Sequence, residues 1–155
     1  MLYCCKIHYF VQIPNLRKLP ANPYLLAFER IGSPAIGYIT TTQYAEHLPF
    51  KIRRVFWTHG TPPEVVRGHH ANKATEEVLV ALTGTVRVKA DTGNQVQEFE
   101  LSDLRKGLYI PAMCWTELRF SEGALVLCLT STDYSEEDYI RDYAYFKKLA
   151  AHAAL

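Results

Sequence analysis

The sequence predicts an all-β fold, a sandwich or barrel of short strands followed by one amphipathic C-terminal helix. Three observations carry this reading. From about Ile52 onward the chain breaks into short β-rich runs separated by turn residues, the spacing of a sandwich or barrel. Within one run, "TVRVKA", apolar Val86 and Val88 alternate with charged Arg87 and Lys89, so that strand has one wet face. After Ser135 the period changes, and Tyr139, Ile140, Tyr143, Phe146 and Leu149 recur at three- and four-residue steps.

Residues 1 to about 50 contain Pro14, Pro20, Pro23, Pro34 and Pro49, which favour extended strands and turns over long helices. The runs that follow are "IRRVFWT", "EEVLVAL", "TVRVKA", "QVQEFEL", "GLYIP", "WTELRF" and "ALVLCLT". Between the third and fourth, "DTGN" with Gly93 suits a tight hairpin. The unbroken apolar character of "EEVLVAL" and "ALVLCLT" marks central strands. The helix is expected over about 135–150, with Ser135 as its N-cap and the tail "KKLAAHAAL" fraying beyond it.

A chain of 155 residues with 48% hydrophobic content is long enough for one domain with a filled core and too short for two ordinary ones. A net charge of +1 gives no broad excess of Lys and Arg, so nucleic acid is not an expected partner. No uninterrupted apolar run approaches the ~18 residues of a membrane span, and Lys6 and His8 interrupt the apolar start where a signal peptide would need continuity. Of the four cysteines, Cys4 and Cys5 are adjacent while Cys114 and Cys128 stand alone in apolar contexts, which reads as reduced thiols in a cytoplasmic protein.

One stretch carries chemistry. In "VRGHHANKATEEVLVALTG" the positions of His70, Asn72, Glu77 and Gly84, followed by Gly107, Pro111 and Thr116, have the spacing of a metal-binding cupin barrel. The ligands do not follow the spacing. His70 and Glu77 alone keep metal-binding side chains, where a transition-metal site usually wants at least three strong donors, so a metal-free site is expected.

The wording of the motif is more specific. "RGHHANK" at Arg67 to Lys73 resembles the "RGxHAHK" signature of the cupin sugar 3,4-ketoisomerases, the WxcM-like proteins. "LPFKIRRVFWT", "GLYIPAMCW" and "DYSEEDYIRDY" are similar to three further blocks of that family, in the same order from about Leu48 to Phe146. The first 45 residues match more loosely, around "GYIT", which contains Tyr38. The resemblance implies a cupin (jelly-roll) barrel and a homodimer in which the N-terminal region adds strands to the partner. It also implies cofactor-free isomerisation of a thymidine-diphosphate-linked 4-keto-6-deoxyhexose to its 3-keto isomer.

That reaction removes a proton beside a ketone and returns it at the neighbouring carbon, work suited to an imidazole that titrates near neutrality. On a regular strand His70 and Asn72 share one face, with Arg67, His69, Ala71 and Lys73 on the other. His70 is therefore the candidate base and Asn72 its catalytic neighbour. An ordinary barrel-lining histidine is the alternative for a lone His70, and the four matching blocks weigh against it.

The local excess of Lys51, Arg53, Arg54, Arg67 and Lys73 over Glu64 suits a diphosphate. Arg54, Arg67 and Lys73 are the candidate substrate contacts of this group, with Arg53 read as surface. Tyr109, Trp115 and Tyr38 are candidate walls for the sugar or base, although the first two serve equally well as core aromatics. Two departures stand out, since the family carries histidines where this chain has Asn72 and Thr116. An amide orients oxygens but does not shuttle protons as imidazole does. A 3- or 5-epimerase working through the same enolate, and a sugar-nucleotide-binding cupin without catalysis, are the competing readings.

Overall fold

The computed structural model describes residues 22–153, and it is built almost entirely of antiparallel strands. Pro14 and Pro20 of the proline-rich start, and Cys4 and Cys5, lie outside the described residues. The strands are β1 Tyr24–Ala27, β2 Glu29–Ser33, β3 Gly37–Thr41, β4 Arg54–His59, β5 Val66–Asn72 and β6 Glu77–Thr83. They continue as β7 Val86–Asp91, β8 Val96–Leu101, β9 Lys106–Ile110, β10 Trp115–Phe120, β11 Leu125–Thr130 and β12 Tyr139–Ile140, and helix α1 covers Tyr143–Ala153.

Two five-stranded sheets, in the orders β1-β9-β6-β11-β4 and β12-β5-β10-β7-β8, face each other as the two walls of a cupin barrel. Their inward residues form one core in which Leu79, Ala81, Val126 and Cys128 of the first sheet meet Val86, Val88 and Phe120 of the second. Burying such side chains stabilises the fold by roughly 1.5–3 kcal/mol each. The alternation expected of β7 is present, with Val86 and Val88 buried and Arg87 and Lys89 exposed. The two strands with unbroken apolar runs, β6 and β11, lie side by side inside the first sheet. The hairpin of β2 and β3 forms a separate two-stranded sheet.

The C-terminal segment departs from expectation. Ser135 makes no side-chain cap, and the residues after it form a single 3₁₀ turn, Glu136–Asp138. Tyr139 and Ile140 then pair as β12 with Asn72 and Ala71 of β5. The cause is a set of contacts distant in sequence: Asp138 accepts hydrogen bonds from the backbone of Ala74 and Thr75 and from the Thr75 hydroxyl, while its own carbonyl accepts from the Lys73 backbone. Sheet pairing, not helical periodicity, thus sets the positions of Tyr139 and Ile140. The helix starts only at Tyr143, capped by Asp142, whose carboxylate accepts from the Tyr145 N–H at 2.8 Å. It runs on through the stretch read as a fraying tail to Ala153, burying Phe146 and Ala150 against Ala71, Trp115 and Ile140.

Candidate active site

His70 lies near the end of β5, and the backbone just before it explains how it is aimed. Gly68 and His69 both have positive φ, +87° and +53°. Opposite them on β10, Thr116 pairs with His70 while the next residue, Glu117, pairs with Gly68. His69 is therefore an extra, bulged residue that resets the alternation. A Cβ at position 68 would come 2.5 Å from the Thr116 carbonyl oxygen, so glycine is required by both space and backbone angle. Regular alternation would put Arg67 opposite His70. The bulge instead brings Arg67 and His70 to one cavity and turns His69 out to solvent.

That cavity has a volume of about 270 Å³. Its polar wall is formed by Arg67, His70, Glu77, Thr116, Tyr139 and Arg141, over an apolar floor that includes Phe56 and Phe120. His70 Nδ1 is 3.0 Å from the Gly68 carbonyl, which can only accept, so Nδ1 carries the proton and Nε2 is the basic nitrogen. Burial lowers the His70 pKa below its ordinary value and Arg141 pushes the same way, while the bond to Gly68 opposes them.

The His70 ring packs against Tyr139, with centroids 4.8 Å apart, and the Arg141 guanidinium sits 4.6 Å over the other ring's centroid. Arg141 is in turn gripped by both oxygens of Glu136, at 2.7 and 3.0 Å. That bidentate contact and a hydrogen bond from the Tyr134 hydroxyl hold the Glu136 carboxyl down at about 2. Tyr139 and Arg141 thus line the cavity, with Glu136 and Tyr134 supporting them from behind.

Glu77 lines this cavity, Asn72 does not, and both side chains are buried. Burial pushes the Glu77 carboxyl up, against the opposing influence of Arg54 and of a hydrogen bond from the Asn72 side chain. Asn72 Oδ1 has no hydrogen-bond partner. Arg54 stands nearby, its guanidinium 4.9 Å from the Phe56 ring centroid and 5.3 Å from that of Tyr134. No group of three His, Cys, Asp or Glu side chains converges among the described residues. With an amide and a hydroxyl filling out the donor set around His70 and Glu77, these residues do not fit a transition metal.

The remaining expected site residues lie elsewhere. Tyr109 is fully buried in the other face of the first sheet, against Tyr24 and Phe50, and its hydroxyl donates to Glu76 at 2.5 Å. Trp115 points away from the cavity because β10 alternates there, and it packs under α1 at 5.1 Å from Tyr143 and 5.8 Å from Phe146. Both are core aromatics, not cavity walls. Lys73 donates to the Glu137 carbonyl at 2.6 Å and so holds the 3₁₀ turn. Tyr38 is exposed on the β2–β3 hairpin beneath Arg30, whose guanidinium is 4.1 Å from its ring centroid. Conversely, Tyr139 and Arg141 belong to the cavity although sequence reasoning spent them on a helix. Their signal was the "DYSEEDYIRDY" block itself.

The family model described as "FdtA: WxcM-like, C-terminal" matches residues 21–151. The TDP-4-oxo-6-deoxy-alpha-D-glucose-3,4-oxoisomerase of Aneurinibacillus thermoaerophilus is 40% identical over 116 residues, 74% of this chain and 84% of that protein. Among solved structures, QdtA, a sugar 3,4-ketoisomerase from Thermoanaerobacterium thermosaccharolyticum in complex with TDP, superimposes with a TM-score of 0.81 at 32% identity, covering 86% of this chain and 98% of its own. A histidine-to-asparagine mutant of QdtA has been solved with TDP-4-keto-6-deoxyglucose. WlaRA, a TDP-fucose-3,4-ketoisomerase from Campylobacter jejuni, gives a TM-score of 0.81 at 34% identity over 86% of this chain and 99% of its own.

Proposed function

Since the chain belongs to the FdtA, WxcM-like C-terminal family, whose model spans residues 21–151, we propose that it is the sugar-nucleotide 3,4-ketoisomerase its site chemistry supports. The enzyme converts a TDP-4-keto-6-deoxyhexose into its 3-keto isomer by acid–base enolisation, as a step of deoxysugar biosynthesis. The relatives that act on or bind such TDP-linked sugars support this substrate class.

One observation carries the mechanism: Nε2 of His70 is the basic nitrogen, because Nδ1 is spent on the Gly68 carbonyl. Nε2 takes the proton from C3 of the sugar, the carbonyl at C4 receives the electrons as an enediolate, and the same imidazolium returns a proton at C4. A lowered pKa keeps His70 neutral and ready as a base. Asn72, buried with an unpartnered carbonyl oxygen, orients the sugar oxygens. Arg67 in the cavity wall and Arg54 beside Glu77 supply positive charge for the diphosphate or the ring oxygens. Lys73 and Tyr38 lie outside this cavity within one chain.

The working form is proposed to be a homodimer. The β2–β3 hairpin pairs only with itself among the described residues and exposes Ile31, Tyr38 and Ile39, an apolar surface suited to a second copy. Buried free thiols at Cys114 and Cys128 agree with a reducing, cytoplasmic setting.

The test is NMR of the protein with TDP-4-keto-6-deoxyglucose in deuterated water. A 3-keto product with C5–H untouched is expected, and His70→Asn should slow C3 proton removal by ~10²–10⁴-fold. Exchange at C5, or inversion at C3 with the ketone left at C4, identifies an epimerase. Binding with no exchange anywhere identifies a non-catalytic cupin.

A further inference from the structure

Moving a ketone to the neighbouring carbon takes two proton transfers, one between carbons and one between oxygens. His70 accounts for the first. The second has no imidazole to carry it, because Asn72 is an amide. In the same cavity wall stands a carboxyl that the mechanism so far leaves unused. Glu77 opens β6, paired with Ile110 on one side and Thr130 on the other, and it lines the cavity that holds His70. It is buried, and the Asn72 side chain lies close enough to favour its charged form. A carboxyl so placed is shielded from bulk water, reaches the cavity, and neighbours Asn72, one of the two positions where the family carries a histidine.

We propose that Glu77 is the second proton-transfer group of the reaction, carrying the proton between O4 and O3 of the sugar while Asn72 holds its carboxyl in position. This rests on the ketoisomerase reading of the same site. The steps balance. His70 Nε2 takes the C3 proton, the C–H pair forms the C3=C4 bond, and the C4=O pair moves to O4, which takes the proton of the Glu77 carboxyl. The Glu77 carboxylate then removes the O3 proton, the O–H pair closes the C3=O bond, and the C3=C4 pair takes a proton at C4 from the His70 imidazolium. Both side chains return to their starting forms and no outside oxidant or reductant is needed.

The electrostatics agree with the geometry. The cycle starts from neutral His70 and neutral Glu77 together. Burial lowers the first and raises the second, which moves their neutral forms toward each other along the pH scale. Around Glu77, Arg54 and the Asn72 and Cys128 side chains favour its charged form, and Asp138 opposes it. The Cys128 and Cys114 thiols are both pushed up by burial, so they add no charge near neutrality.

The experiment compares wild type with Glu77→Gln on TDP-4-keto-6-deoxyglucose in deuterated water, following C3 exchange and 3-keto product separately. Glu77→Gln is expected to lose at least ~10²-fold in product formation while C3 exchange, driven by His70, falls far less. Glu77→Asp should recover part of the product. In wild type, product formation should fall at high pH, as Glu77 loses its proton, at a pH where C3 exchange still proceeds. This profile decides the matter even if Glu77→Gln does not fold. Equal product in folded Glu77→Gln, an equal loss of exchange and product, or identical pH profiles for the two would each overturn the role of Glu77 and leave His70 standing. If wild type exchanges no C3 proton, the ketoisomerase reading and the proposal fall together.

Discussion

His70 is governed by two neighbours that act on different properties of one ring. The Gly68 carbonyl chooses which nitrogen is basic, and burial in the cavity chooses the pH at which it stays basic. Because the folded-state pKa is lowered, the C3 exchange rate should hold its plateau below pH ~6.5, the ordinary histidine value, and a pH–rate profile checks this. The sign for stability is definite: the unfolded chain takes up the proton first. The group's contribution is therefore intact above pH ~6.5 and is lost as pH falls through the folded value. Gly68→Ala tests the bulge, since a side chain there meets the Thr116 carbonyl and a backbone angle it resists. Destabilisation of at least about 1–3 kcal/mol is expected, with a lower melting temperature and reduced C3 exchange. His70, Asn72 and Arg67 were readable as candidates from "RGHHANK". That Arg67 shares a cavity with His70 was not, because alternation assumes a regular strand and the bulge is made by φ angles that the letters G and H only permit.

At the level of elements, seven strands, β4 and β6 to β11, stand where apolar runs and turn residues put them, since each run buries one face or both in a sheet. The C-terminal block did not obey that logic. Tyr139 and Ile140 carry a spacing that suits a helix, and only the hydrogen bonds gathered by Asp138 from the β5–β6 turn make them a strand. Such long-range capture is invisible to local periodicity. Two substitutions separate the two segments. Asp142→Ala removes the true helix cap and should lower stability by about 1 kcal/mol, read by thermal melting, with turnover little changed. Asp138→Ala should do more to catalysis, raising KM or slowing turnover, because it unfastens the segment that holds Tyr139 and Arg141 against the cavity.

For the whole molecule, the first sheet ends at β4, whose outward face exposes Val55 and Trp57, the latter 62% accessible. An edge strand with apolar side chains invites pairing or needs cover. A dimeric mass by light scattering at micromolar concentration is expected, and Trp57→Glu should shift it toward the monomer. Persistence of a dimer after that change would move the interface to the β2–β3 hairpin alone. The barrel itself was readable from the chain, while Tyr109 and Trp115 show the limit of reading sites from motifs. Both sit inside a matching block, yet β9 and β10 turn them to faces away from the cavity.

The hydrogen bond from His70 to the Gly68 main chain has a consequence for how such a site can change over generations. A tautomer held by a side chain is lost when that side chain mutates, but a carbonyl of the backbone survives every substitution around it. The identity of the basic nitrogen is therefore insulated from drift at positions 69, 71, 72 and 73. With His70 as the proposed base, a change from histidine to Asn72 would leave that nitrogen basic, and the partition among products would become a trait that selection can adjust on its own.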